Sequence, residues 1–234
     1  MPLSPRARPV VAIDGPAGAG KSSAARRLAE VLGFVLVDTG AMYRAVALAA
    51  MKEGLSPDDE TSVGALARAL VARHGLKFAR DAERGIRVLL DGQDVTDAIR
   101  APGVGMAAST ASAHPSVRAA LFDLQRQAGE HGGVVLEGRD IGTVIFPDAE
   151  VKFFLTARAD VRARRRFDEL AAKGTTTTFD DTLRDVLLRD NQDTMRPVAP
   201  LRQAPDAVLI DDSELGIEET VARMAEWVRQ RSGP

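Results

Sequence analysis

The chain has 234 residues, enough to bury a sizeable core as one large domain or as one domain with an insertion. Its 31 basic and 33 acidic residues nearly cancel, so no global field would recruit nucleic acid or an anionic membrane, and charge must act locally. Cysteine is absent, which excludes disulfides, thiolate metal sites and a cysteine nucleophile, and suits a reducing compartment.

The N-terminal MPLSPRARP has arginines but no apolar h-region behind them, so no signal peptide is expected. The longest apolar stretch, Ala45 to Met51, is far short of the ~20 residues that span a membrane. We therefore expect a cytoplasmic protein. The first apolar run, Val10 to Ile13, leads into Gly15-Pro16-Ala17-Gly18-Ala19-Gly20-Lys21-Ser22, and a helical stretch follows from Ser23 to Leu32. This is G-x-x-x-x-G-K-S between a strand and a helix, the setting of a P-loop. Its glycines let backbone N–H groups curl toward phosphate oxygens, the helix adds its positive N-terminal end, and Lys21 brings a formal charge to the β- and γ-phosphates. Ser22 offers a hydroxyl to Mg²⁺.

The second run, Phe34 to Val37, ends in Asp38-Thr39-Gly40-Ala41-Met42-Tyr43-Arg44, which places a hydroxyl and a guanidinium at the carboxyl edge of a sheet, where such folds bind ligands. Two readings stand side by side: Thr39 as a helix cap with a solvated Arg44, or both as phosphate-site residues. The stretch from there to the third run, Val134 to Leu136, is too long for one crossover and predicts an inserted subdomain. Within it, Ser56-Pro57-Asp58-Asp59-Glu60 reads as a helix start with a capping serine, a proline at the first position and acids in the first turn. Leu76-Lys77-Phe78 and Ile86 to Leu90, with turns at 81–85 and at Asp91-Gly92, predict a small antiparallel meander, and Pro115 starts a helix running to about Ala128.

After the third run comes Glu137-Gly138-Arg139-Asp140-Ile141-Gly142-Thr143. Adjacent Arg139 and Asp140 at the end of a buried strand cost desolvation unless a ligand or partner is present. Glu137 reads either as an acid beside Mg²⁺ or as a hydrogen-bond partner of the loop. The fourth run, Val151 to Leu155, is followed by Arg158, Arg162, Arg164, Arg165 and Arg166. At 100° per residue the guanidiniums of 158, 162, 165 and 166 fall within an arc of roughly 100°, while 164 points away. A like-signed stripe makes better sense facing phosphates than facing itself. Thr175 to Thr178 is a loop whose last threonine caps a helix from Phe179, with Asp181 as its partner. That helix ends in Arg189-Asp190-Asn191-Gln192-Asp193-Thr194-Met195-Arg196 before Pro197, and a fifth run spans Ala207 to Ile210. Five apolar runs without alternation, each followed by a turn and a helix, predict an α/β doubly wound fold with a five-stranded parallel sheet. G-x-S-x-G, H-E-x-x-H, H-R-D with D-F-G, and N-K-x-D are all missing, and His74, His114 and His131 form no ligand-spaced set.

Taken with the spacing, AIDGPAGAGKS, DTGAMYR, AASTASAHPSVR, EGRDIGTVIFPDA, FLTARADVRARRR, LLRDNQDTMRPVAPL and APDAVLID resemble the bacterial cytidylate kinases, the CMP/dCMP kinases among the P-loop nucleoside monophosphate kinases, over nearly the whole chain. The resemblance implies a core (9–55, 131–157 and 175–231), a CMP-binding insert (about 56–130) carrying the meander, and a short lid (about 158–174) carrying the arginine stripe. It implies an ATP-phosphate site at Gly15, Pro16, Ala17, Gly18, Ala19, Gly20, Lys21, Ser22 and Ser23, with Mg²⁺ on Ser22 and Glu137 as a second candidate. Ser109, Arg118 and Asp140 would meet the cytosine, Arg44, Arg139 and Arg196 the CMP phosphate, and Arg189 and Asp193 the ribose. Thr39 stands where relatives often carry Ser, keeping the hydroxyl, and Glu137 where Asp is common. Lys21, Arg162, Arg165 and Arg166 would act in catalysis, and Arg158 is not claimed for the family. The expected activity is γ-phosphoryl transfer from ATP to CMP or dCMP by a monomer without nucleic-acid or membrane partners. The rivals are a kinase for UMP or another small anion, and an ATP-binding regulatory module.

Overall fold

A computed structural model describes residues 6–81, 85–101, 103–172 and 174–232. The middle of the turn expected at 81–85, and the first five residues of the N-terminal segment, lie outside the described residues. The chain divides into two compact units, one of residues 1–37 and 129–234, the other of 38–128.

In the first unit all five apolar runs form strands: β1 (Val10–Asp14), β2 (Val35–Asp38), β6 (Val134–Gly138), β7 (Val151–Thr156) and β8 (Val208–Asp211). Their order across the sheet is β2-β6-β1-β7-β8. β1 runs parallel to β6, with Asp14 opposite Gly138, and parallel to β7, which in turn runs parallel to β8. Every residue of β1 and β6 is buried, as continuous apolar runs demand, whereas edge strands β2 and β8 each keep one face partly open. Helices α1 (Lys21–Leu32) and α8 (Ile217–Ser232) pack on each other and on the sheet. Ala24, Ala25 and Leu28 meet Met224, Ala225 and Val228 over Ile13, Val135 and Phe153. Each larger member of that cluster contributes roughly 1.5–3 kcal/mol by leaving water. Helices α6 (Ala159–Ala172) and α7 (Phe179–Met195) pack side by side. Thr178 caps α7 as expected, its Oγ1 accepting from the Asp181 N–H at 3.1 Å and donating to the Asp181 carboxylate at 2.6 Å.

The second unit holds α2 (Thr39–Lys52), α3 (Glu60–Ala72), α4 (Val104–Ala113) and most of α5 (Pro115–Gly129). It also holds the predicted meander, an antiparallel sheet in the order β3 (Leu76–Asp81), β4 (Gly85–Leu90), β5 (Gln93–Asp94). Because α2 packs on α3 and α4, it belongs to this unit, ahead of the division at residue 56 drawn from the sequence.

Two caps differ from expectation for one reason. Asp38, not Thr39, caps α2, its carboxylate accepting from the Ala41 N–H at 3.0 Å, so Thr39 is the first helical residue and is buried. Likewise Asp59, not Ser56, caps α3, because the Ser56 hydroxyl takes the Asp58 N–H and closes a turn before the helix begins. In both places an aspartate within reach of the first-turn N–H groups wins over the nearby hydroxyl. α4 has no sequence signal of its own, since its Ala- and Ser-rich composition carries little amphipathic contrast.

Candidate active site

The P-loop joins β1 to α1 at the carboxyl edge of the sheet, beside the point where the strand order reverses. Gly18 adopts a left-handed φ of 76°, and a Cβ there would meet Arg162 Cβ at 3.1 Å, so the loop needs glycine both for its turn and for the close approach of α6. Lys21 is buried, and its Nζ donates to the Pro16 carbonyl at 2.6 Å. Burial first, and then the Arg139 guanidinium, push its pKa well below the usual lysine range, against the pull of Glu137, Asp193 and Asp14. Next to it the Ser22 hydroxyl donates to the Glu137 carboxylate at 2.9 Å. The two readings of Glu137 thus meet in one place: it is hydrogen-bonded to the loop, and it sets a carboxylate beside a hydroxyl, two hard oxygen donors of the type Mg²⁺ takes. Among the described residues no cluster of three or more acids or histidines forms a self-sufficient metal site.

Beyond β6, Arg139 and Asp140 are each matched to a residue near the end of α7. Arg139 Nε donates to Asp193 at 2.7 Å, and Arg196 Nη2 donates to Asp140 at 3.1 Å. Burial alone would raise the Asp193 pKa, but Arg139, Arg196 and Arg189 outweigh it and hold the carboxyl below its usual range. The segment that follows, Ile141–Ile145, is a π-turn, in which the Ile145 N–H reaches back five residues to the Asp140 carbonyl at 3.1 Å. Such turns concentrate at functional sites, and no sequence pattern announces them.

The second unit carries the remaining acceptor candidates. Arg44 is not solvated: it is half-buried and its Nη2 donates to Asp38 at 2.8 Å. Arg118 is buried, donates to the Ser112 carbonyl at 3.3 Å and lies over the Tyr43 ring at 5.6 Å. Ser109, on α4, accepts the Ser112 hydroxyl at its carbonyl at 2.8 Å.

The arginine stripe is differently built from what its phase alone implied. Arg158 precedes α6, so the helical arc does not include it; it is exposed beside Glu214 and Asp160. Arg162 forks the Asp190 carboxylate at 2.9 and 2.6 Å while donating to the carbonyls of Ala17, in the P-loop, at 3.1 Å and of Ala157 at 2.7 Å. Arg165 donates to Asp212 at 2.9 Å, and Arg166 only to Glu169, one turn on along its own helix, at 2.8 Å. The repulsion among these guanidiniums is offset because each has its own carboxylate. The acids that supply this, Asp190 and Asp212, escaped the sequence reading; Asp190 stood in plain view within the α7 cluster, but only tertiary packing assigns it to Arg162. Arg164 does point away, over the rings of Phe179 at 4.6 Å and Phe167 at 5.5 Å. Arg164→Gln should therefore leave turnover unchanged and lower stability by about 1 kcal/mol, a melting shift of roughly 2–4 °C. A fall in kcat without such a shift would place this residue in the chemistry instead.

Comparison with known proteins points to one family. A family model described as cytidylate kinase matches residues 11–230. A cytidylate kinase of Geobacter sp. (strain M21) is 52% identical over 222 residues, covering 95% of this chain and 93% of that protein. One of Neisseria gonorrhoeae is 46% identical over 221 residues, covering 94% and 97%. Among solved structures, an uncharacterized protein from Eubacterium ventriosum superposes with a TM-score of 0.52 at 11% identity, covering 94% of this chain and 98% of that one, a likeness of fold alone. With this similarity along almost its whole length, the chain belongs to the cytidylate kinase family.

Proposed function

We propose that the protein transfers the γ-phosphoryl group of ATP to CMP or dCMP, giving ADP and CDP or dCDP. The observation that carries this reading is that β1 and β6 are parallel neighbours with Asp14 opposite Gly138, so that the P-loop carrying the buried Lys21 and the Arg139 that follows β6 leave the sheet at the same edge. Cations brought to one edge of the sheet from two elements can meet anions arriving from both sides, which is the electrostatic demand of in-line phosphoryl transfer between two nucleotides.

In this reading the P-loop from Gly15 to Ser23 cradles the ATP phosphates. Ser22 and Glu137 would hold Mg²⁺, which supplies charge neutralisation at the β- and γ-phosphate oxygens. Arg44, Arg139 and Arg196 neutralise the CMP phosphate, Thr39 adds a hydroxyl, and Arg189 and Asp193 hold the ribose. Ser109, Arg118 and Asp140 read the base: a carboxylate accepts from the cytosine amino group and repels the carbonyl that uracil offers in its place. No covalent intermediate is needed. Residues 158–174 act as a lid, with the insert at about 56–130, and closure over both nucleotides excludes water, the competing acceptor. The near balance of charge and the absence of cysteine suit a cytoplasmic monomer with no nucleic-acid or membrane partner. Among the described residues no helix is long and apolar enough to cross a membrane.

Turnover against a panel of nucleoside monophosphates tests this directly. CMP and dCMP should lead it; a preference for UMP would replace the substrate, and ATP binding with no turnover on any of them would turn the enzyme into a regulatory module. Asp140→Ala then tests the base reading. It should cost CMP efficiency roughly tenfold to a hundredfold, the worth of a charge-assisted hydrogen bond of about 1.5–3 kcal/mol, and cost UMP much less. Equal losses on both would reduce Asp140 to the ion-pair partner of Arg196.

A further inference from the structure

Asp14 is the last residue of β1, immediately ahead of the P-loop, and no step above uses it. Its carboxylate is buried, and both oxygens are spent on the backbone of another segment: Oδ1 accepts from the Ile141 N–H at 2.8 Å and Oδ2 from the Gly142 N–H at 2.7 Å. These are the donors that a helical turn leaves unsatisfied at its start, since the bonds of the π-turn begin with the N–H groups of Val144 and Ile145. Asp14 is itself held from the other side, because β1 pairs with β7 and sets Asp14 opposite Phe154. Burial, with Asp140 adding to it, raises the Asp14 pKa to about 6 against the two N–H bonds and Lys21, so the group is ionised at neutral pH but at a cost. An asparagine would have the same shape and no charge to bury, yet it could accept only one of the two N–H groups and would turn its own NH₂ toward the other.

We propose that Asp14 is a positioning residue for the phosphoryl acceptor: from the P-loop end of β1 it clamps the start of the 141–145 turn and so fixes Arg139 and Asp140, the two residues just before that turn, against the phosphate donor site. This rests on the reading of Arg139 and Asp140 as acceptor ligands. The clamp holds the turn that follows Arg139 and Asp140 rather than the P-loop itself, so its loss should be felt by the monophosphate and much less by ATP.

The test compares Asp14→Asn and Gly142→Ala in the full-length protein. Gly142→Ala keeps both N–H donors and the carboxylate but adds a methyl 3.1 Å from Lys152 Cδ and 3.4 Å from Asp14 Oδ2, so it displaces the same joint more gently. Asp14→Asn should raise the KM for CMP by about tenfold or more while the equilibrium Kd for ATP stays within about threefold, and Gly142→Ala should show the same split in smaller measure. If Asp14→Asn does not melt cooperatively, Gly142→Ala carries the comparison alone. ATP affinity falling as far as CMP affinity, or neither changing, overturns the positioning role. Failure of the substrate reading looks different: wild-type protein preferring another monophosphate leaves the split to be measured on that acceptor, and wild-type protein acting on none overturns both.

Discussion

Lys21→Ala is expected to lower CMP kinase turnover by on the order of a hundredfold or more while leaving a protein that folds as well as the wild type or better. The two halves of that expectation have one cause. The Lys21 ammonium is buried, and burial followed by Arg139 disfavours its charge. A lysine whose folded pKa is depressed withholds stability at any pH below its ordinary value near 10.5, because folding must either desolvate the charge or release the proton. Truncation removes that penalty and gives up the Nζ bond to the Pro16 carbonyl and the smaller attraction of Glu137, Asp193 and Asp14. The charge is repaid when phosphate arrives, so the stabilisation of the protein by ATP should shrink in the variant together with turnover. Thermal melts with and without ATP, alongside initial rates, check all three. Near-wild-type turnover would end the P-loop assignment, and a large fall in melting temperature without ATP would show that Lys21 supports the fold rather than the chemistry.

Features set by local chain physics were legible in the sequence. The strands β1, β6 and β7 announce themselves because a run buried on both faces must be continuously apolar, and the meander does so through its turns. The P-loop was readable because phosphate binding fixes glycine, lysine and hydroxyl at one spacing, and Arg139 and Asp140 because a charged pair at the end of a buried strand asks for partners. Which partner each takes was not readable. Arg162 to Asp190, Arg165 to Asp212 and Asp14 to the 141–142 backbone are choices made by packing between elements far apart in the chain. The caps at Asp38 and Asp59 failed on a finer point, since each had a hydroxyl nearby of nearly equal merit and only the path of the chain into the helix decides. Helical phase placed Arg164 correctly but could not tell that Arg158 stands one residue before the helix it was counted into.

Arg162→Gln should be the most damaging of the lid substitutions, and damaging to stability as well as to rate. Phase alone groups Arg162 with Arg165 and Arg166 as groups that meet phosphate on closure, which would make each of them count more in the transition state than in ATP binding. The structure separates them. Arg166 is half-exposed and tied only within its helix, and Arg165 is half-exposed on Asp212, so either can be drawn to an incoming phosphate at modest cost. Arg162 is 5% exposed, with Nε, Nη1 and Nη2 all engaged and one of its bonds ending on the Ala17 carbonyl of the P-loop. It braces the loop and ties α6 to α7 through Asp190. Glutamine can replace one of those bonds but not the fork, and it leaves the Asp190 carboxylate uncompensated. Because Asp190 is partly open to water, the cost should sit near the low end for breaking a buried pair, about 3 kcal/mol, or a melting shift of roughly 6–12 °C. The Kd for ATP should weaken together with kcat, whereas Arg165→Gln and Arg166→Gln should lower kcat with a smaller change in that Kd. The measurement is melts, ATP titrations and initial rates on the three variants in parallel. An Arg162→Gln protein that melts like the wild type and binds ATP normally, yet turns over slowly, would return Arg162 to the role its helical phase gave it and remove the brace.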